Sequence, residues 1–492
     1  MPDVQPLDYI FSRQNPFYTS QCSIWLRSLS AYSGGSKYIQ QALIKHISEI
    51  EPEFAERKNR AYYFNYPRKI AKLITQYVLS QAPTREGSDS DLVADFDRSG
   101  LNTNEVMRQF STILNVFGVA WLCVDMPNFE GELTKEQEQI QRIRPYCYAL
   151  SPLSVVDWCY GSDGKLQWVL TKAESVDNSD PMIQPVTVAV RCLWTRTDMT
   201  VFQRAGNAGA VAISKTIEHG LGVVPFVRVE EVDGYGINAQ HWFEDVVRIS
   251  DAILNNESEA QMNTVKQMFG LLVISEAFAR SGNKPKSSEE GAQGESLSHV
   301  IARSAAIWET NEEKGITRYV SPSGVETTTI RSENQNLRRE LFDVIGLAIQ
   351  KDSKAIETAE AKAWDHQHVE QFLQTRADIL EQAEKQAWQI MTLWKNTVAV
   401  PDVVYNRNFA VLDLSDAIAS LLEISSLSVE SPEFQREVNR TGITLLNRIR
   451  QIPQDRQDTI NQEIDASTPA TLPVATGGVT GGGNVDNNTQ IV

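Results

Sequence analysis

Few residues in this 492-residue chain are placed to do chemistry. His366 and His368, flanked by Asp365 and Glu370, come nearest to a metal cluster. Residues i and i+2 of a helix point to different faces, however, so one ion cannot easily take both imidazoles. Asp89, Asp91, Asp95 and Asp97 lack the glycine and terminal glutamate of a calcium loop and read as a solvated helix start. Gly164-Lys165 runs into Leu166 and has no upstream glycine, so the phosphate-cradling loop of a nucleotide-driven motor is absent. Neither Gly-x-Ser-x-Gly nor His-Glu-x-x-His occurs, and six histidines leave few candidate bases. Five cysteines, an odd number with no Cys-x-x-Cys, argue against a disulfide framework and a zinc site. The expectation is a chain that is not an enzyme, with no catalytic residue, no metal and no cofactor. What remains is a short polar run, Lys351-Asp352-Ser353-Lys354, which taken alone is helix-end charge.

Charge narrows the partners. Forty-six Lys and Arg against sixty-three Asp and Glu give −17, the wrong sign for gripping nucleic acid through its phosphates. The start of the chain lacks a basic region followed by an apolar core, and no window approaches the ~20 apolar residues of a membrane span. The expectation is a soluble protein made in a reducing cytoplasm, with no membrane partner. Hydrophobic residues at 41% and charged residues at 22% are globular values, and the length allows about three units.

The elements that must position these residues follow from periodicity. Residues 1–36 carry Pro, Ser, Gly and aromatics without a clear period and read as an extended N-terminal arm. Tyr38, Ile39, Leu43, Ile44, Ile47 and Ile50 predict one helix, and Ile70, Leu73, Ile74, Tyr77 and Val78 another. Pro83 to Asp91 reads as a loop, and Val106, Phe110, Ile113, Leu114 and Phe117 as a further amphipathic helix. From Gly118 short β-type runs take over, so residues 37–240 are expected to be an α+β domain with an antiparallel sheet. Residues 241–269 hold neither Gly nor Pro and predict a helix of about 29 residues, ~44 Å long. Residues 270–326 are a small β-flavoured insert. A return helix over 327–350 is expected to begin at a capping box, Ser332-Glu333-Asn334-Gln335. After 351–357 comes the strongest helical stretch, Thr358 to about Lys395, followed by a return strand up to 411. Residues 412–465 predict two or three short helices, among them Pro432 to about Asn439 and Thr444 to about Ile449, and the Gly-rich stretch 466–492 predicts disorder.

This order of parts resembles the portal proteins of tailed double-stranded DNA bacteriophages, over nearly all of residues 40–465. Leu337-Arg338-Arg339-Glu340-Leu341-Phe342, Lys351 to Glu357 and Glu360-Ala361-Lys362-Ala363-Trp364 carry the local likeness. The resemblance implies an α+β, mainly helical portal fold: wing (37–240), stem helix 1 (241–269), clip (270–326), stem helix 2 (327–350), tunnel loop (351–357), long wing helix with return strand (358–411) and crown (412–465). It implies a dodecameric ring at one capsid vertex of the virion, through which DNA is packaged and ejected. Its partners would be the large terminase subunit, the major capsid protein and the tail's adaptor proteins. Lys351, Asp352, Ser353 and Lys354 would be the loop facing DNA. Of the acids expected to line the bore and repel phosphates, the candidates are Glu244, Asp245, Asp251, Glu257 and Glu259 on the first stem helix. The alternative is a cytoplasmic α-helical scaffold or adaptor without a pore.

Overall fold

The computed structural model describes residues 6–127, 141–177, 182, 184–205, 209–231, 241–268, 271–275, 306–309, 318–320, 324–344, 359–396, 398–409, 424, 431–449 and 454–466. It divides into two units, Met1–Phe409 and Ala410–Val492. The first opens with five helices, α1 (Pro6–Ser12), α2 (Pro16–Ser33), α3 (Ser36–Ala42), α4 (Glu51–Arg60) and α5 (Tyr66–Val78). After β1 (Thr84–Glu86) come α6 (Ser90–Ala94) and α7 (Thr103–Phe117), then the strands β2 (Val119–Asp125) and β3 (Tyr146–Leu150). A five-stranded antiparallel meander follows: β4 (Val155–Tyr160), β5 (Leu166–Asp177), β6 (Val186–Thr195), β7 (Asp198–Ala205) and β8 (Val211–Glu218). Next, β9 (Phe226–Glu230) returns to pair with β2, giving a three-stranded antiparallel sheet in the order β3-β2-β9.

Then come α8 (Trp242–Met268), the strands β10 (Leu271–Ser275), β11 (Ala306–Glu309) and β12 (Arg318–Val320), α9 (Val325–Asp343), α10 (Ala359–Trp394) and β13 (Asp402–Val404). β10 is central in a small mixed sheet, parallel to β11 and antiparallel to β12. In the second unit α11 (Pro432–Ile449) and α12 (Gln454–Ala466) are joined by Arg440, which donates to Asp465 Oδ1 at 2.6 Å. The fold is therefore mixed α+β and predominantly helical, with several sheets.

Alternation along β2 sets the layout of the first unit. Ala120, Leu122 and Val124 face a cluster built with α5, α7 and α10, while Val119, Trp121 and Cys123 face a second cluster built with α2 and the meander. Helix α8 is shared in the same way: Val246 and Ile253 join the first cluster, and Phe243, Val247 and Leu254 the second. Aromatic contacts weld the two sheets, with Trp121 5.5 Å from Trp158 of β4 and Trp194 of β6 5.6 Å from Phe226 of β9.

Several expectations need correcting. Residues 6–12 and 16–33 are helical, not extended: Asn15 caps α2 through Phe17 N (3.0 Å), Pro16 sits in its first turn, and Trp25 Nε1 donates to Phe117 O at 3.1 Å. The helix expected to reach Ile50 stops at Ala42, leaving Ile47 97% exposed. There the backbone of Ile44 is taken by side chains, its N–H by Asn255 Oδ1 (2.9 Å) and its carbonyl by Arg57 Nη2 (2.6 Å). Pro83 to Asp91 is not all loop, since β1 pairs antiparallel with β13, Arg85 opposite Val403. Helix α9 begins at Val325 rather than at the capping box, and Ser332 lies inside it. The hydroxyls of Thr328 and Thr329 bond back to Val325 O at 2.8 and 3.0 Å, so the Thr run is accommodated within the first turns. Helix α11 is continuous where two shorter helices were expected. The strands at 271, 306 and 318 fall within the β-flavoured insert expected over 270–326, and residues 467–492 lie outside the described residues.

Candidate functional site: a helical hairpin and its anchors

Helices α8 and α9 pair as an antiparallel hairpin. Asn256 Nδ2 donates to Asn334 Oδ1 at 3.1 Å, and nearer the tip Gln267 of α8 lies beside Gly324 at the start of α9. Helix α8, at 27 residues, is about 40 Å long. Its first half carries the apolar stripes described above, and Ala260 is its last fully buried residue among those described. The distal half is partnered instead by α9, and the small mixed sheet follows from its end. The hairpin's inner seam is polar: Asn334, 1% exposed, also donates to Glu257 Oε2 at 3.2 Å.

A second polar stripe anchors α8 to the N-terminal helices. Asp251, Asn255 and Ser258 recur at i, i+4 and i+7 and so share one face. Asp251 takes Arg27 Nη2 at 2.6 Å and the Tyr38 hydroxyl. Asn255 Nδ2 donates to Ala42 O at 3.2 Å, and Arg57 Nη1 donates to Ser258 Oγ at 2.9 Å. Arg57 is 3% exposed and its charge is matched by Glu49, which accepts from Nε at 2.9 Å and Nη2 at 2.8 Å.

These anchors decide where the five candidate carboxylates stand. Glu244 is buried and pairs with Arg248 at 2.7 Å, Asp251 is bound to Arg27 and Tyr38, and Glu257 accepts from Asn334. Asp245 and Glu259 are exposed. Lys351, Asp352, Ser353 and Lys354 lie outside the described residues, as do the side chains of His366 and His368 in the first turns of α10. In the other acidic cluster, Asp89 caps α6 through Asp91 N, Asp95 binds Arg144 at 2.6 Å, and Asp97 holds the following turn. No group of three or more His, Cys, Asp and Glu among the described residues could hold a metal ion. No helix among them is long and apolar enough to cross a membrane.

Sequence reasoning missed a junction at the base of the hairpin. Glu231, just after β9, accepts from Arg376 of α10 and lies 2.9 Å from His241 Nε2 at the start of α8. Burial would lift its carboxyl, but the hydrogen bond from His241 and the charge of Arg376 outweigh burial and hold it at about 2. Its folded value thus lies below its unfolded one. The stability it contributes is present above about pH 4.5 and is lost as pH falls towards 2. A shift of that size corresponds to roughly 3 kcal/mol. Glu231→Gln should flatten the acid limb of a stability-against-pH curve measured by urea unfolding; an unchanged acid limb would remove the junction from the account.

Gly118 stands beside this junction. It closes α7 in the left-handed region (φ 71°), and its carbonyl accepts from Glu231 N at 2.9 Å. A Cβ there would lie 2.7 Å from His241 Cδ2. Gly118→Ala therefore meets both backbone strain, about 1–2 kcal/mol, and a ring that must move off Glu231. The expected result is a lower melting temperature together with the flattened acid limb of Glu231→Gln, both readable by circular dichroism.

A cleft of about 290 Å³ opens elsewhere, between the meander and the end of α10, with Trp194, Trp394, Met199 and His219 among its walls. Of its two lining carboxylates, Asp125 and Glu218, Asp125 accepts from Tyr146 Oη at 2.8 Å and from Met126 N at 2.7 Å. Burial pushes the Asp125 carboxyl up and the His219 imidazole down.

No family model matches this chain, and no curated protein matches it. The solved structures similar to it include two particle necks. One, described as the neck of a native GTA particle computed with C12 symmetry, is 11% identical over 76% of this chain and 90% of that one, with a TM-score of 0.41. The other, the neck of an empty GTA particle computed with C6 symmetry, is 10% identical over 75% and 88%, with a TM-score of 0.39.

Proposed function

We propose that this chain is the subunit of a portal-type ring: a non-enzymatic channel at one vertex of a virion through which double-stranded DNA passes. The observation that carries the reading is the hairpin of α8 and α9, rooted in two cores at its base and ending in a small mixed sheet. A paired-helix arm of this kind has no core of its own along its outer half, and side-by-side copies in a closed ring would cover it. The 36-residue α10 supports the same reading. So does a net charge of −17, which lets a duplex slide without sticking.

In this proposal the ring is a dodecamer, and its bore takes its negative charge from α8. Asp245 and Glu259 are the exposed acids there; Glu244 and Glu257 bond within the hairpin, and Asp251 ties it to the N-terminal helices. The sheet at the tip docks the large terminase subunit and later the tail's adaptor proteins, and the body contacts the major capsid protein. Lys351 and Lys354 touch passing phosphates and slow the duplex without binding it.

Light scattering with negative-stain microscopy tests the ring directly. About twelve subunits around a stain-filled hole are expected, whereas a monomer or dimer at high concentration would favour a helical adaptor without a pore. Lys351→Ala with Lys354→Ala should leave the ring intact and reduce packaged or retained DNA severalfold. Loss of ring formation in that variant would count against a DNA-facing loop.

A further inference from the structure

The cleft between the meander and the end of α10 has walls of two kinds. Strand register lays Trp194 of β6, Met199 of β7 and Ile217 of β8 side by side as an apolar floor, since Trp194 stands opposite Met199 and Met199 opposite Ile217. The His219 ring lies 6.3 Å from that of Trp194 and 5.5 Å from that of Trp394, which continues the floor into an aromatic wall. Trp394 is fixed there by its Nε1, which donates to Val124 O at 3.1 Å. The polar part comes from Asp125 at the end of β2, which stands opposite Tyr146 of β3 and shares a face with it. Asp125 is only half-buried and lines the cavity, so a group that enters the cleft can reach it.

Asp125 has acceptor capacity to spare. Met126 N and the Tyr146 hydroxyl place one hydrogen bond on each of its oxygens, whereas an ionised carboxylate offers about four lone-pair sites. Burial pushes its carboxyl above the ordinary value in spite of those bonds, and Lys215 and His219 act on it through charge alone. On the walls Asp125 and Glu218 are negative and Lys215 positive, while burial lowers His219 and leaves it uncharged at neutral pH, so one negative charge is uncompensated. Asp198 and Arg98 act from outside the lining with opposite signs and do not alter that balance. A volume of about 290 Å³ lies at the small end of ligand pockets, ~300–1,000 Å³, and suits a side-chain-sized group rather than a nucleotide. What fits such walls is a planar, weakly hydrated monovalent cation that packs on aromatic rings and offers two parallel N–H donors to one carboxylate.

We propose that this cleft captures a guanidinium group, which donates to both oxygens of Asp125 and lies against Trp194 and Trp394. The group belongs either to an arginine side chain of a protein partner or to a free guanidine. The site stands on the meander, β2, β3 and the end of α10, and is independent of the ring reading.

The test is a ligand-observed saturation-transfer NMR titration of the full chain with N-acetylarginine amide, against N-acetylcitrulline amide, its uncharged isostere. Saturable binding in the millimolar range is expected for the arginine form and none for the citrulline form. Methylguanidine, titrated separately, distinguishes the sources: binding of the capped residue identifies an arginine side chain, and binding confined to methylguanidine a free guanidine. Equal responses to the arginine and citrulline forms, or no response to either guanidine, overturn the proposal. Asp125→Asn keeps an acceptor for Tyr146 and loses the charge, and should weaken binding about tenfold; an unchanged affinity also overturns it. Lys215→Gln, at an exposed position, removes the competing cation. Equal or tighter binding is expected of that variant, and weaker binding would mean that the cleft favours an anion. Should Asp125→Asn not fold, as read by far-ultraviolet circular dichroism, Lys215→Gln and the citrulline control decide.

Discussion

Replacing Glu384 by alanine is expected to destabilise the first unit by about 3–5 kcal/mol, the cost of leaving a buried charge without its partner. Glu384 of α10 is fully buried and takes Arg85, itself 6% exposed, through two bonds, Nε at 2.5 Å and Nη2 at 3.0 Å. The same carboxylate accepts from Tyr405 Oη at 2.6 Å and from Trp388 Nε1 at 3.2 Å. Removing it leaves a buried guanidinium with two described neutral side-chain partners, Asn104 Oδ1 at 2.8 Å and the Tyr405 hydroxyl. Glu384→Gln keeps an acceptor for one donor at a time and should cost less, so the two variants rank in a fixed order in urea unfolding followed by circular dichroism. A loss below about 1 kcal/mol for Glu384→Ala would mean that Arg85 finds another partner, and the pair would lose its place as the tie between β1, β13 and α10.

Trp121→Ala should cost a similar amount by a different route. Its side chain is fully buried and meets Trp158 edge-on at 5.5 Å and Phe226 at 6.2 Å, with the Arg228 guanidinium 5.8 Å from its ring. Truncation removes one of the two aromatic contacts that join the sheets and leaves a void that rigid neighbours cannot fill, which for Trp or Phe costs about 3–5 kcal/mol. Trp121→Phe retains most of the packing and should recover more than half of the loss in the same urea titration. Recovery of none of it would point to the indole N–H rather than to volume, although that N–H is buried without a hydrogen-bond partner among the described residues.

The long helices were legible because periodicity over two dozen residues without Gly or Pro leaves little else for the chain to do. Trp242–Met268 and Ala359–Trp394 fall within a residue or two of the expected spans. The strands of the meander and of the small sheet were legible for the complementary reason, short β-branched and aromatic runs between Gly, Asp and Pro. Helix α2 was hidden by composition: its Ser, Tyr and Gln suggest a loop, while the buried Tyr18, Trp25 and Ala31 keep a helical phase.

The polar anchors were invisible for a deeper reason. Arg85 sits in Thr-Arg-Glu, which reads as surface, and its partner lies 299 positions away. Of the candidate bore acids, composition gave the sign of the charge but not its direction, because α8 is buried on two faces and a third carries hydrogen bonds. Glu244 and Asp251 consequently turned out to have structural partners, Arg248 for the one and Arg27 with Tyr38 for the other. The proposed DNA-facing lysines rest on the order of elements alone.

The pairing of β1 with β13 has a consequence for synthesis. Thr84 meets Val404 in register, so a strand made early stays unpaired until its complement, more than three hundred residues later, has left the ribosome. At about 5–20 residues per second that is a delay of roughly 15–60 s, during which Arg85 and the apolar faces of α5 and α7 have no α10 to close over them. Contacts this distant in sequence also slow the final folding step. The nascent chain is therefore expected to engage a holding chaperone between these two points and to be released soon after residue 405 emerges. Fragments ending before α10 should aggregate where the full chain does not.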